Sequence, residues 1–180
     1  AISPLEEHGT YNMYTNSAFQ GRAPGRLWSV DINAIEIAPD HLQVVQSVEW
    51  QGPVEWGAAG GHRVLAREKR TTSIRPGNIV NTFDIRSELM PTEWDLTIGP
   101  TRHAYFTIRA AYGLRVVDGG TLIDADGRCG GTAITNSQST WVDLCGAGSH
   151  GKTAGLAILP HASTAHVPWI AYDWGTVNVN

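Results

Sequence analysis

The feature that most constrains this chain is a period of two in its apolar residues, repeated in short runs and cut by turn residues. In residues 41–50, Leu42, Val44, Val48 and Trp50 fall on one side, and His41, Gln43, Ser47 and Glu49 on the other. Successive side chains of a strand alternate between faces, so this run predicts a half-buried strand. The alternation returns in Ile79, Phe83, Ile85 and Leu89, in Trp94, Leu96 and Ile98, and in Ala104, Phe106 and Ile108. A strand of poor alternation starts near Leu27, and residues 113–117 read as a further short strand. Residues 62–74 read as a long exposed strand whose basic side chains are solvated. Pro91 ends one run, and GAAGG at 57–61, Pro76-Gly77 and Gly99-Pro100 mark turns. A loop-rich stretch covers residues 118–139. No segment holds a 3.6-residue period over ten positions. About ten strands, closely spaced turns and little or no helix predict an all-β antiparallel sandwich or barrel. With no repeat and no linker, residues 1–180 read as a single β-sandwich domain, with residues 1–25 an irregular N-terminal arm.

Composition enters by exclusion. A net charge of −4 leaves no basic footprint for nucleic acid. No stretch approaches the ~20 apolar residues of a membrane helix. No signal peptide is evident, and the start at Ala1 without Met reads as a processed chain, a trimmed chain or a fragment. Localisation stays open between the cytoplasm and secretion after processing. Cys129 and Cys145 either pair across neighbouring strands or remain buried thiols. Without Cys-x-x-Cys, a thiolate zinc site is not expected. No Gly-x-Ser-x-Gly, His-Glu-x-x-His or Gly-x-Gly-x-x-Gly occurs, which removes three common enzyme classes in their usual forms.

Polar chemistry concentrates in residues 140–180. Two apolar runs, 153–159 and 167–172, read as buried strands. Around them stand Asp143, His150, His161, His166 and Asp173, interleaved with Trp141, Trp169 and Trp174. His161, at the end of an apolar strand, suits a general acid/base or a metal ligand, and equally a ring bonded to a neighbouring loop. His150, His161 and His166 form a minor metal alternative without a ligand signature. Asp143 shares a strand face with Trp141 and Cys145, and needs a partner if that face is buried. Arg109 or Arg115 is the expected partner, in an ion pair or around a ligand. His103, Tyr105 and Arg109 belong to one strand region, where Arg suits a small acid or sugar. A solvated outer face is the plain alternative.

Five ordered motifs carry a family resemblance. They are Tyr112-Gly113-Leu114-Arg115-Val116, Gly119-Gly120-Thr121-Leu122, Trp141-Val142-Asp143 followed by Gly146, Gly155-Leu156-Ala157-Ile158-Leu159-Pro160-His161, and Trp169 followed by Tyr172-Asp173-Trp174-Gly175. Over residues 62–180 the chain resembles the soluble PmoA-like proteins of unknown function. That resemblance implies a sandwich of sugar-epimerase or jelly-roll type and a place in carbohydrate breakdown. Methane oxidation, which the family name suggests, is excluded because the chain has no membrane span. The family's N-terminal His-His-Arg segment is matched here only by Glu7-His8 before Gly9.

The reading that follows is a carbohydrate- or glycoside-processing hydrolase or lyase without a cofactor. In it His161 is the acid/base, Asp143 or Asp173 orients it, and His103, Tyr105, Arg109, Arg115, Trp169 and Trp174 hold a sugar-like substrate. A non-catalytic carbohydrate-binding module is the first alternative. The second is one subunit of a hetero-oligomer whose partner completes the site.

Overall fold

The computed structural model describes residues 2–4, 13, 17–18, 21, 23–54, 61–93, 95–98, 106–148, 151–164 and 167–179. The chain divides into two compact units, Ala1–Gly99 and Pro100–Asn180. Both are built from antiparallel strands, as the alternation predicts.

In the first unit, β2 (Arg26–Ala38), β3 (His41–Gln51), β4 (Val64–Arg75) and β5 (Thr82–Pro91) form a four-stranded meander. A separate pair joins β1 (Ile2–Pro4) to β6 (Leu96–Ile98). Register shifts between Ser29 and Asp31, and between Glu36 and Ala38, explain the poor alternation of β2. Each bulge moves the following residues to the other face. Ile79 is not part of β5. It lies in the preceding turn and is almost fully exposed.

The pleat gives this sheet two unlike faces. One carries Leu27, Ile32, Ala34, Leu42, Val44, Val48, Trp50, Ile74, Phe83, Ile85 and Leu89 in cross-strand rows. The other carries Asp31, Glu49, Arg67, Lys69, Arg86 and Glu88. The buried core of the unit is Val48, Trp50, Leu65 and Ala66, with Met13, Leu89 and Leu96 packed against it. The expected solvation of the basic strand is corrected at Glu68 and Arg70. Glu68 points to the apolar face and is buried, and Arg70 is ion-paired to it.

The second unit is a small sandwich. One sheet is β8 (Thr121–Asp124), β9 (Val142–Ala147) and β10 (Thr153–Ile158), with β9 central. The other is β7 (Phe106–Arg109), β12 (Thr176–Val179) and β11 (Trp169–Ala171), with β12 central. Leu122, Val142, Leu144 and Ile158 from the first sheet meet Trp169, Ala171 and Val177 from the second in one core. Ile134, from the single-turn helix α1 (Gly131–Ile134), completes it.

Three local expectations are corrected here. Residues 113–117 form a turn leading into a 3-10 turn at Val116–Asp118, not a strand. The loop-rich stretch contains β8 and α1. β10 is mostly exposed rather than buried, because only its Leu156 and Ile158 side turns to the core. Gly113 forces the turn. Its φ of 85° is left-handed, and a Cβ on facing Gly146 would collide with its carbonyl oxygen.

Candidate functional site

In the second unit, the polar residues gather where two turns adjoin. One is the turn after β7 and the other joins β11 to β12. The Val117 amide donates to the Asp173 carbonyl at 3.2 Å. The Arg115 stem lies across Gly175, where a Cβ would stand 2.7 Å from Arg115 Cγ. The Arg115 guanidinium sits 4.1 Å above the Tyr112 ring centroid. It also forks onto Asp118, with Nη2 donating to Oδ1 at 2.8 Å and Nε donating to Oδ2. Tyr172 and Trp174 stack, with centroids 4.1 Å apart and planes 14° apart. Tyr112 is 81% exposed and Trp174 48%, so both present aromatic surface to solvent.

Asp173 is held by α1. Its Oδ1 accepts from the Gly131 amide at 2.7 Å. A Cβ on Gly131 would stand 2.6 Å from the Ala171 carbonyl oxygen, so only glycine lets this helix start approach the strand. Beside the turns lies an open, mainly apolar depression of about 310 Å3, lined by Val116, Gly120, Thr121, Leu122, Ile123, Cys129 and Gly130.

Asp143 stands on the outer face of β9, directly opposite Ile123 on β8 and Ala157 on β10. Cross-strand neighbours have Cβ atoms roughly 5 Å apart, so Asp143 stands beside Ile123, one of the residues that line the depression. Burial raises its carboxyl above the ordinary range, because desolvation disfavours the charged form. Cys145 shares this face, and Cys129 and Cys145 are both free thiols.

His161 is not joined to these groups. Its Nδ1 accepts from the Ser163 amide at 3.2 Å and lies 2.9 Å from Ser163 Oγ, within an exposed turn. That turn follows the Ile158–Val142 end of the sheet, whereas Arg115 and Gly113 sit by Gly120 and Gly146 at the other end. Val142 and Gly146 are four residues apart, about 13 Å along a strand. Among the described residues no hydrogen bond or ion pair links His161 to Asp143, Asp173 or Arg115. The structure therefore gathers Arg115, Asp173 and Trp174 and leaves His161 apart.

Trp169 is 1% exposed, and its Nε1 donates to the Ser139 carbonyl at 2.9 Å. It has no face to offer a ligand. Arg109 lies exposed on β7, opposite Thr176. His103, Tyr105, His150 and His166 lie outside the described residues. Among the described residues no group of three His, Cys, Asp or Glu can hold a metal ion.

The chain matches the model of a family of unknown function (DUF6807) over residues 3–180. It belongs to that family. No curated protein and no solved structure matches it. For this family member the sequence reading passed over Tyr112 as a motif residue and missed the Glu68 cluster. The available signal for the cluster was parity. Glu68 and Arg70 fall in step with Ala66 and Ile74 rather than with Arg67 and Lys69.

The Arg115–Asp118 pair carries a pH prediction. The hydrogen bond from Arg115 is the main cause holding the Asp118 carboxyl below the ordinary value, and the same bond raises the Arg115 guanidinium. A depressed carboxyl stabilises the fold above its unfolded pKa, about 3.9. That contribution is lost as pH falls through the folded value. Asp118→Asn is therefore expected to differ most from wild type near pH 7, with the gap closing below about pH 4. Denaturant midpoints across this range check it, and a gap that persists in acid would contradict it.

Proposed function

We propose that the second unit binds a carbohydrate-like ligand on the Tyr112–Arg115–Trp174 surface without itself forming a His-based catalytic centre. The observation that carries this reading is the pairing of two exposed aromatic rings with a fixed guanidinium–carboxylate fork on adjoining turns. Aromatic faces take the C–H side of a sugar ring, while Arg115 and Asp118 supply donors and acceptors for hydroxyls. The adjoining depression offers apolar surface to the rest of the ligand. The resemblance to PmoA-like proteins, with their place in carbohydrate breakdown, supports the same class.

Calorimetric titration of the intact chain with a panel of neutral and uronic oligosaccharides tests the proposal. Trp174→Ala and Tyr112→Ala are each expected to weaken binding about tenfold, or ~1.4 kcal/mol. Stability changes of about 0.5 kcal/mol are expected for such exposed sites. Binding that survives both substitutions would reject the surface.

One observation favours an enzyme as the second reading. Asp143, with its proton held more tightly by burial, stands beside Ile123 of the same depression and suits a general acid. Asp143→Asn would then abolish turnover of a glycoside and leave affinity unchanged. Asp143→Asn therefore separates the two readings, whereas His161→Ala is expected to leave both binding and turnover intact. Its loss of turnover would restore His161 to the mechanism.

A further inference from the structure

The Tyr112–Arg115–Trp174 surface could meet either a neutral or an acidic sugar, and the hydrogen bonds of Arg115 distinguish the two. A guanidinium has five N–H groups. Two of those on Arg115 are spent on Asp118, with Nε donating to Oδ2 and Nη2 donating to Oδ1 at 2.8 Å. Asp118 Oδ2 also accepts from the Gly113 amide at 3.4 Å. Among the described residues the other N–H groups of Arg115 and the second lone pair of Asp118 Oδ1 have no hydrogen-bond partner. Both side chains stay partly exposed, at 22% and 27%. The pair therefore presents a spare donor directly beside a spare acceptor.

The rings beside this pair are each backed on one face. The Arg115 guanidinium covers one face of Tyr112, and Tyr172 covers one face of Trp174. The two turns, residues 110–118 and 172–175, carry Arg115 against Asp118 and Asp173, and Arg109 at the end of β7 brings the sum to zero. No excess positive charge draws an anion to them. Given the carbohydrate reading of this surface, on which the step rests, we infer that it recognises a neutral pyranoside through a vicinal pair of hydroxyls. Asp118 is then the residue that rejects acidic sugars.

Hydrogen-bond chemistry selects that class. A hydroxyl both donates and accepts, whereas a carboxylate only accepts. Of two adjacent ring hydroxyls, one accepts from Arg115 Nη2 and the other donates to Asp118 Oδ1. A sugar carboxylate in the same place meets the Asp118 charge with no hydrogen to offer. A like charge set against the wrong ligand is a source of specificity. Removing that charge frees the planar fork of Arg115 for an acid. Asp118→Asn is accordingly expected to reverse the preference rather than only weaken binding.

The test is a set of 1H–15N titrations of the full chain with methyl β-glucoside, its glucuronide and its 3-deoxy analogue, and with the corresponding galactosides. Without the 3-hydroxyl no two ring hydroxyls are adjacent. In wild type a neutral glycoside is expected to shift residues 112–118 and 172–175, with its uronate and 3-deoxy forms each at least about fivefold weaker. In Asp118→Asn the uronate is expected to gain about fivefold and overtake the neutral glycoside. Asp84→Asn, which removes the same charge from an exposed position of β5, is expected to change neither affinity. If Asp118→Asn loses its dispersed spectrum, the two wild-type comparisons carry the test. A uronate that binds wild type as tightly as the neutral glycoside, a 3-deoxy analogue of full affinity, or an Asp118→Asn variant that keeps the wild-type order would each overturn the proposal. In any of those cases, shifts at these turns that Trp174→Ala abolishes would leave the Tyr112–Trp174 surface standing. No shift by any of the sugars would sink both.

Discussion

Trp169→Ala is expected to destabilise the Pro100–Asn180 unit by about 3–5 kcal/mol, the range for removing a buried large aromatic side chain. Trp169 is among the largest fully buried side chains of the protein. It joins Leu122, Val142, Leu144 and Val177 in the sandwich core. Its indole N–H also satisfies the Ser139 carbonyl. Trp169→Phe separates the two contributions. It keeps most of the apolar contact and strands the carbonyl, so a loss of about 1–3 kcal/mol is expected. Urea unfolding of the purified variants measures both. A loss under about 1 kcal/mol for the alanine variant would mean that the core collapses around the missing ring, contrary to a core in which Trp169 is fixed by packing on every side.

Arg70→Met is expected to cost the Ala1–Gly99 unit about 3 kcal/mol, because it removes the guanidinium that forks onto the buried Glu68 carboxylate. The one-third exposure of Arg70 places the effect at the low end of the buried-pair range. Glu68→Gln in the Arg70→Met background removes the charge and keeps much of the hydrogen bonding. It is expected to recover at least half of the loss. Chemical denaturation of wild type, single and double variants checks this as a cycle. An additive result would show that the two side chains contribute independently, against the fork seen between them.

The antiparallel strands were legible because alternation is a local property. Leu42, Val44, Val48 and Trp50 share a face in the structure as the residue order requires. Charged runs were less legible. Glu68, Lys69 and Arg70 are adjacent in sequence, yet Glu68 and Arg70 join a buried network while Lys69 takes the solvated face. Which face is buried depends on what packs against the sheet, and no single strand carries that information. The same limit applied to the tryptophans. Trp169 and Trp174 stand five residues apart beside similar neighbours, and one is core while the other is surface. Their difference arises because Trp169 lies on the inward side of β11 and Trp174 in the turn after it.

Residue order alone determined the all-β class, most strand positions and the breaks between them. It also placed a dense set of polar and aromatic groups in residues 140–180. Tertiary structure decided which of those groups meet. It set Arg115 against the Trp174 turn at Gly175, with Tyr112 under its guanidinium, and left His161 at the far end of the sheet. It also turned Glu68 from one charge in a basic strand into a buried anchor for Arg70. The physical reason is common to each case. Period and turn chemistry act within a few residues, whereas burial and ion pairing depend on residues brought together across strands.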